Sequence, residues 1–212
     1  MIRFRLFGIP VEIQPFFWIV LVLLGPYSQA AEAKGLLYLA LFVIAGTISI
    51  LVHELGHALA GRAYGARTSI TLHAFGGFAS FPNARFTRKQ DFLVTAAGPA
   101  IQIVLGLAAL ALLYSGKLPT EASSRFIGSL AGVSLYWAIL NLLPIIPLDG
   151  GRLVLAVLGP RRQKISLWIS LVTAVIVACV MLRFGGSFFA LFLAGFAYEN
   201  WRALDEIKRR GY

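Results

Sequence analysis

A second cysteine is missing from this sequence, and so is any long polar stretch. Cys179 is the only thiol, which rules out an intramolecular disulfide and a cysteine-based zinc cluster. Charged residues make up 13% of the chain, about half the usual share of a soluble domain. No polar segment is long enough to build a separate soluble domain, and there is no tandem repeat or low-complexity run. The opening MIRFRLFGIPVEIQ carries Arg3 and Arg5 but no apolar core followed by a small-residue cleavage site, so no removable signal peptide is expected. A single membrane-embedded domain over residues 1–212 is the economical reading.

What is present is apolar. The 212 residues are 58% hydrophobic, with a mean hydropathy of +0.80, and lipid is the solvent such a composition suits. The net charge of +10 would fit a nucleic-acid partner, but the basic residues fall between apolar runs instead of covering one face. Nucleic acid is therefore excluded as a partner. Segments near Pro15–Ala30, Leu36–Tyr64, Phe92–Ser115, Phe126–Ile146, Ile165–Leu182 and Ser187–Ala203 approach the roughly 20 apolar residues a membrane-crossing helix needs. The expected fold is an all-α integral membrane protein of about six transmembrane helices. With both termini on the cytoplasmic side, only Lys34, Lys117, Arg125 and Arg183 of the 19 basic residues lie on the other face. That is the bias the positive-inside rule demands. The compact chain suits a prokaryotic plasma membrane.

Two segments read differently. Arg3–Ile13 alternates in strand fashion around Gly8 and Pro10, as a short surface strand and turn does. Thr68–Pro82 alternates around Ile70 and Leu72 and breaks at Gly76-Gly77, which predicts a β-hairpin or loop dipping toward the membrane, a small β-strand/loop element between the second and third spans. Such backbone is tolerable at membrane depth only where protein or a water-filled cavity satisfies it.

The second span contains His53-Glu54-Leu55-Gly56-His57. Residues four apart share one helix face, so both imidazoles can reach one metal ion, and Glu54 lies where it could deprotonate a water. Two buried, structurally satisfied histidines with an ion-paired glutamate would be the bland alternative. Ionisable groups in apolar sequence are costly, which favours function, and zinc is the metal this pattern suits. Counting back from Tyr64 puts the two histidines roughly 16 and 10 Å from the helix end. A catalytic zinc takes three protein ligands and one open position, and His73 and the carboxylates are the candidates for the third. Asp149 stands out among them, in the run NLLPIIPLDGGR from Asn141 to Arg152. There Pro144 and Pro147 break the helix, and Gly150-Gly151 permit a tight backbone approach. Helix capping at the next helix is the competing role for Asp149.

Taken together, HELGH at His53–His57, GGF at Gly76–Phe78, the AAGP ending at Pro99 and NLLPIIPLDGGR resemble the site-2 protease family of intramembrane zinc metalloproteases. The resemblance runs across nearly the whole chain in order and spacing. It implies His53, His57 and Asp149 as zinc ligands, Glu54 as general base, and Asn141 as a residue that positions the substrate or polarises its carbonyl. It further implies that Gly76, Gly77 and Phe78 present a strand edge to an unwound substrate helix, in regulated proteolysis of single-span membrane proteins inside the bilayer. Gln102 stands where relatives often carry asparagine. No room is seen for an inserted PDZ or a C-terminal regulatory domain, so a minimal core form is expected. Two other readings compete: a membrane zincin with a glutamate such as Glu199 as third ligand, and a zinc transporter or metal-binding scaffold. Transporters tend to repeat their ligands in both halves, and no second histidine pair is present. Cys179 is expected to be a small packing residue.

Overall fold

The computed structural model describes residues 1–26 and 33–209. The end of the expected first span, and Arg210, lie outside the described residues. The chain divides into two compact units, one of residues 1–86 and 96–139, the other of residues 87–95 and 140–212.

The first unit begins with a hairpin of β1 (Ile2–Leu6) and β2 (Ile9–Ile13). Its two-residue turn sets Phe7 at φ 50° and Gly8 at φ 77°, the left-handed pair that such tight hairpins require. Ile9, Val11 and Ile13 are buried while Pro10 faces out, the two-residue period of a half-buried strand. Then come α1 (Pro15–Leu24), α2 (Ala33–Ala63) and a second hairpin, β3 (Ser69–His73) with β4 (Gly76–Ser80). The two hairpins join through a parallel β2–β3 ladder that sets Val11 opposite Ile70 and Ile13 opposite Leu72. One four-stranded sheet in the order β1-β2-β3-β4 results, with β4 at an edge. Sequence patterning marks strand and turn signals in both segments, but not that the two hairpins pair. The sheet buries Ile9, Val11, Ile13, Ile70 and Leu72 against Phe17 and Leu21 of α1 and Ile50, Leu55 and Ala58 of α2. Most of α3 (Arg88–Tyr114) and of α4 (Glu121–Asn141) completes the unit, where Ala45, Ala109, Leu130 and Ala131 pack together.

The second unit holds the first turns of α3, then α5 (Asp149–Leu158), a short 3-10 turn at Pro160–Arg162, α6 (Gln163–Arg183) and α7 (Ser187–Arg209). The α6 helix is inside out by the standards of a soluble protein. It buries Ser166, Ser170, Ala174 and Ala178 and exposes Trp168, Val172, Val175, Ile176 and Val180. Small residues inside let backbones approach closely, and large apolar ones outside suit lipid. Cys179 is exposed on this helix instead of packing inward as expected, because its neighbour Ala178 takes the inner position.

Among the described residues, three helices are long and apolar enough to cross a membrane, at Lys34–Ala63, Arg88–Tyr114 and Pro160–Arg183. The other three expected spans are made differently. With ten residues, α1 is roughly 15 Å long, about half the hydrocarbon thickness. The fourth starts earlier than expected, at Glu121, and stops at Asn141 because Pro144 and Pro147 follow. Charges from Glu199 onward fill the last turns of α7.

Between α4 and α5 the chain is irregular, and inside a membrane protein that backbone needs partners. The Ile146 N–H donates to Ser170 Oγ at 3.1 Å, and the Ile146 carbonyl accepts from Asn200 Nδ2 at 2.6 Å. Asn200 is buried and also donates to the Phe196 carbonyl at 2.7 Å. Side chains of α6 and α7 thus do for this loop what a helix does for itself. Asn200→Ala removes the donor from the part-buried Ile146 carbonyl and should lower stability by about 1–3 kcal/mol. Thermal unfolding in detergent checks this, and an unchanged midpoint refutes it.

Candidate metal centre

Within the first unit α2 carries His53, Glu54 and His57, which are 2%, 4% and 6% exposed. The one-turn spacing brings His53 Nε2 and His57 Nε2 to 3.0 Å from each other, their rings meeting edge to face. Two nitrogens on one tetrahedral zinc, each bound at about 2.0–2.1 Å, would stand about 3.3 Å apart. The pair fits a shared metal ion with a shift of a few tenths of an ångström.

The α3 helix makes this geometry possible. A Cβ on Gly56 would come within 2.6 Å of the Ala97 carbonyl oxygen, so α2 and α3 touch backbone to backbone one residue before His57. A Cβ on Gly98 would land on the His57 ring itself. The AAGP motif therefore makes room for a histidine. Pro99 sits inside the helix without ending it. One turn further on, Gln102 is fully buried, with Oε1 2.8 Å from His53 Nδ1.

The sheet holds the carboxylate. A Cβ on Gly77 would stand 2.6 Å from Glu54 Cγ and 2.8 Å from Oε1, so any side chain at position 77 competes with Glu54 for space. Gly76 has φ +116°, and a Cβ there would meet Trp137 of α4 at 2.9 Å. Both glycines lie at the start of β4, in a hairpin, and Phe78 follows them exposed. His73 ends β3, where its Nδ1 accepts the Phe75 N–H at 3.3 Å and its ring packs against Phe75 and Phe78. Burial pushes its pKa down, so this imidazole stays neutral near pH 7 as part of the hairpin.

The second unit carries the other residues singled out by sequence. Asp149 is the first residue of α5 and buried. The cap position belongs to Leu148, and Asp149 follows it in the first turn of the helix. Adding a Cβ at Gly150 would strike the Leu142 and Leu143 carbonyls, and at Gly151 the Ile146 N–H. The chain doubles back on the first turn of α5, and only glycine fits beneath it. Asn141 ends α4 half-buried, and Glu199 is exposed on α7. Sequence reasoning left Gln102 without a role and passed over Ser49, Ser134, Ser170 and Asn200. Polar residues inside apolar helices were the signal that could have found them.

Against known proteins, the profile of peptidase family M50 matches residues 41–118 and 113–184. Over 158 residues the chain is 34% identical to a protein of Synechocystis sp. whose name carries the words zinc metalloprotease, an alignment covering 70% of this chain and 41% of that protein. A similarly named protein of Mycobacterium tuberculosis is 39% identical over 117 residues, 54% of this chain and 30% of its own length. The chain thus spans less than half the length of these two relatives. In three dimensions it superposes on a site-2 protease from Methanocaldococcus jannaschii with a TM-score of 0.68 at 24% identity, covering 96% of this chain and 94% of that one. That likeness establishes the fold.

Gly98→Ala tests the packing around His57. The added methyl displaces the ring, and the bound zinc of the purified protein should fall at least about tenfold, the range in which disturbed ligand shells act. Full zinc occupancy in this variant would mean that His57 is not held as described.

Proposed function

The chain belongs to peptidase family M50, and from that premise we propose that this integral membrane protein is a zinc endopeptidase acting on membrane-spanning substrates. One observation carries the reading. Two imidazole nitrogens face each other at 3.0 Å, on a helix apolar enough to cross a membrane, with the Glu54 carboxyl buried beside them. Residues 1–212 would act as one protease domain. His53 and His57 would hold the zinc together with Asp149, whose burial and position at the end of the doubled-back NLLPIIPLDGG loop suit a ligand better than a solvent-facing turn residue. The exposure of Glu199 counts against a glutamate third ligand.

Zinc bound there supplies a polarised carbonyl and a water whose pKa is lowered to about 7. Glu54 accepts a proton as the water oxygen bonds to the scissile carbon, then returns it to the nitrogen that leaves. Asn141 is assigned to orient the substrate carbonyl. The edge of β4 at Gly76, Gly77 and Phe78 is assigned to pair with the substrate as an added strand. A helical peptide bond is shielded by its own hydrogen bonds, so the substrate must unwind first. Single-span proteins with glycine or proline near the cut are the class best able to do so. The basic residues support termini on the cytoplasmic side of a prokaryotic plasma membrane.

Two experiments follow. Glu54→Gln should keep zinc and lose about 10²- to 10⁴-fold in cleavage of a co-expressed single-span substrate, the range general-base groups contribute. Unchanged cleavage would end the mechanism. Asp149→Ala should lose zinc on metal analysis while Glu199→Ala retains it. The reverse pattern would transfer the third ligand to Glu199.

A further inference from the structure

Gln102 is fully buried, and an amide buried in an apolar bundle has to be satisfied on both ends. Its Oε1 lies 2.8 Å from His53 Nδ1. Its Nε2 donates to Ser49 Oγ at 2.9 Å and approaches the Ser49 main-chain carbonyl at 3.4 Å. Ser134 Oγ donates to the same Ser49 hydroxyl at 2.9 Å. The main-chain carbonyl can only accept, so the nitrogen end of the amide must face Ser49. The oxygen end then faces His53, and an amide oxygen can only accept as well. His53 Nδ1 must therefore carry its proton, and in the neutral ring Nε2 keeps the lone pair. Nε2 is the nitrogen that faces His57.

We propose that Gln102, braced by Ser49 and Ser134, is the positioning residue that fixes the tautomer and ring angle of His53 for zinc. The inference rests on the zinc reading above. A carboxylate commonly fills this role behind a zinc-bound histidine. Here a neutral amide does it, which orients the ring without placing another negative charge among apolar helices. Three elements are locked in one chain of hydrogen bonds: α4 through Ser134, α2 through Ser49 and His53, and α3 through Gln102.

The test uses the full-length protein in detergent, with zinc affinity measured by chelator competition and folding checked by the melting temperature of the metal-free form. Gln102→Leu keeps the volume and removes the acceptor, and it should weaken zinc binding about 10- to 100-fold. Gln102→Glu restores an acceptor and should recover most of that loss. A packing role alone predicts the opposite order, because leucine fills the space and a buried carboxylate disturbs it. Equal affinity for wild type and Gln102→Leu, or no recovery with glutamate, overturns the proposal while leaving the metal site intact. A wild-type chain that binds no zinc overturns both. Nitrogen-15 spectra of the imidazoles in zinc-loaded wild type decide the matter without any variant: a proton on His53 Nδ1 is expected, and coordination through Nδ1 refutes it.

Discussion

The absence of side chains at Gly56 and Gly98 is the constraint on which the site depends. Helices with ordinary side chains pack 8–10 Å apart, and at that distance α3 could not touch both histidines of α2. Without a Cβ on either glycine, the Ala97 carbonyl lies against Gly56, the His57 ring fills the space over Gly98, and Gln102 reaches His53. One close approach thus sets the orientation of one imidazole by contact and of the other by hydrogen bonding. Glu54 is held in the same manner by a strand glycine at position 77.

Polar groups elsewhere follow the logic of a low-dielectric solvent. The serines of α6 and the asparagine of α7 sit inside the bundle, while Trp168, Val172, Val175, Ile176 and Val180 of α6 sit outside. An unmet carbonyl costs far more in hydrocarbon than in water, so an irregular loop among apolar helices gains from a donor or acceptor on a neighbouring helix. Ser170 and Asn200 serve the irregular loop before Asp149, while Arg88 serves the end of α5, where its guanidinium donates to the Ala156 and Val157 carbonyls.

Much of this was legible in the sequence because it follows from periodicity and local chemistry. HELGH places two imidazoles on one face whatever surrounds it, and the alternation around Val11 and Ile70 marks strands before any partner is known. The paired prolines signalled a break in the fourth helix, although the expected span ran on to Ile146 and the helix ends at Asn141. What stayed hidden depends on contacts between distant segments. That β2 pairs in parallel with β3 is a tertiary fact, as is the meeting of Gln102 with a histidine on another helix. The expected spans and the observed helices differ in their bounds where length and polarity had been averaged. Pro15–Leu24 is apolar but short, and the start of the fourth helix is polar enough to look like a loop. For Cys179, apolar neighbours along the chain suggested burial, yet in a lipid-facing helix apolar sequence and exposure go together.

The parallel β2–β3 ladder imposes an order on biogenesis. β2 leaves the ribosome early, but its partner is made only after both α1 and α2. At ordinary elongation rates that delay is on the order of several seconds. Through it the β1–β2 hairpin, too small to be stable alone, must keep Ile9, Val11 and Ile13 from straying. The sheet closes only once the helix bearing HELGH has been laid down, so a nascent chain acquires the strand that confines Glu54 after that carboxylate is already in place.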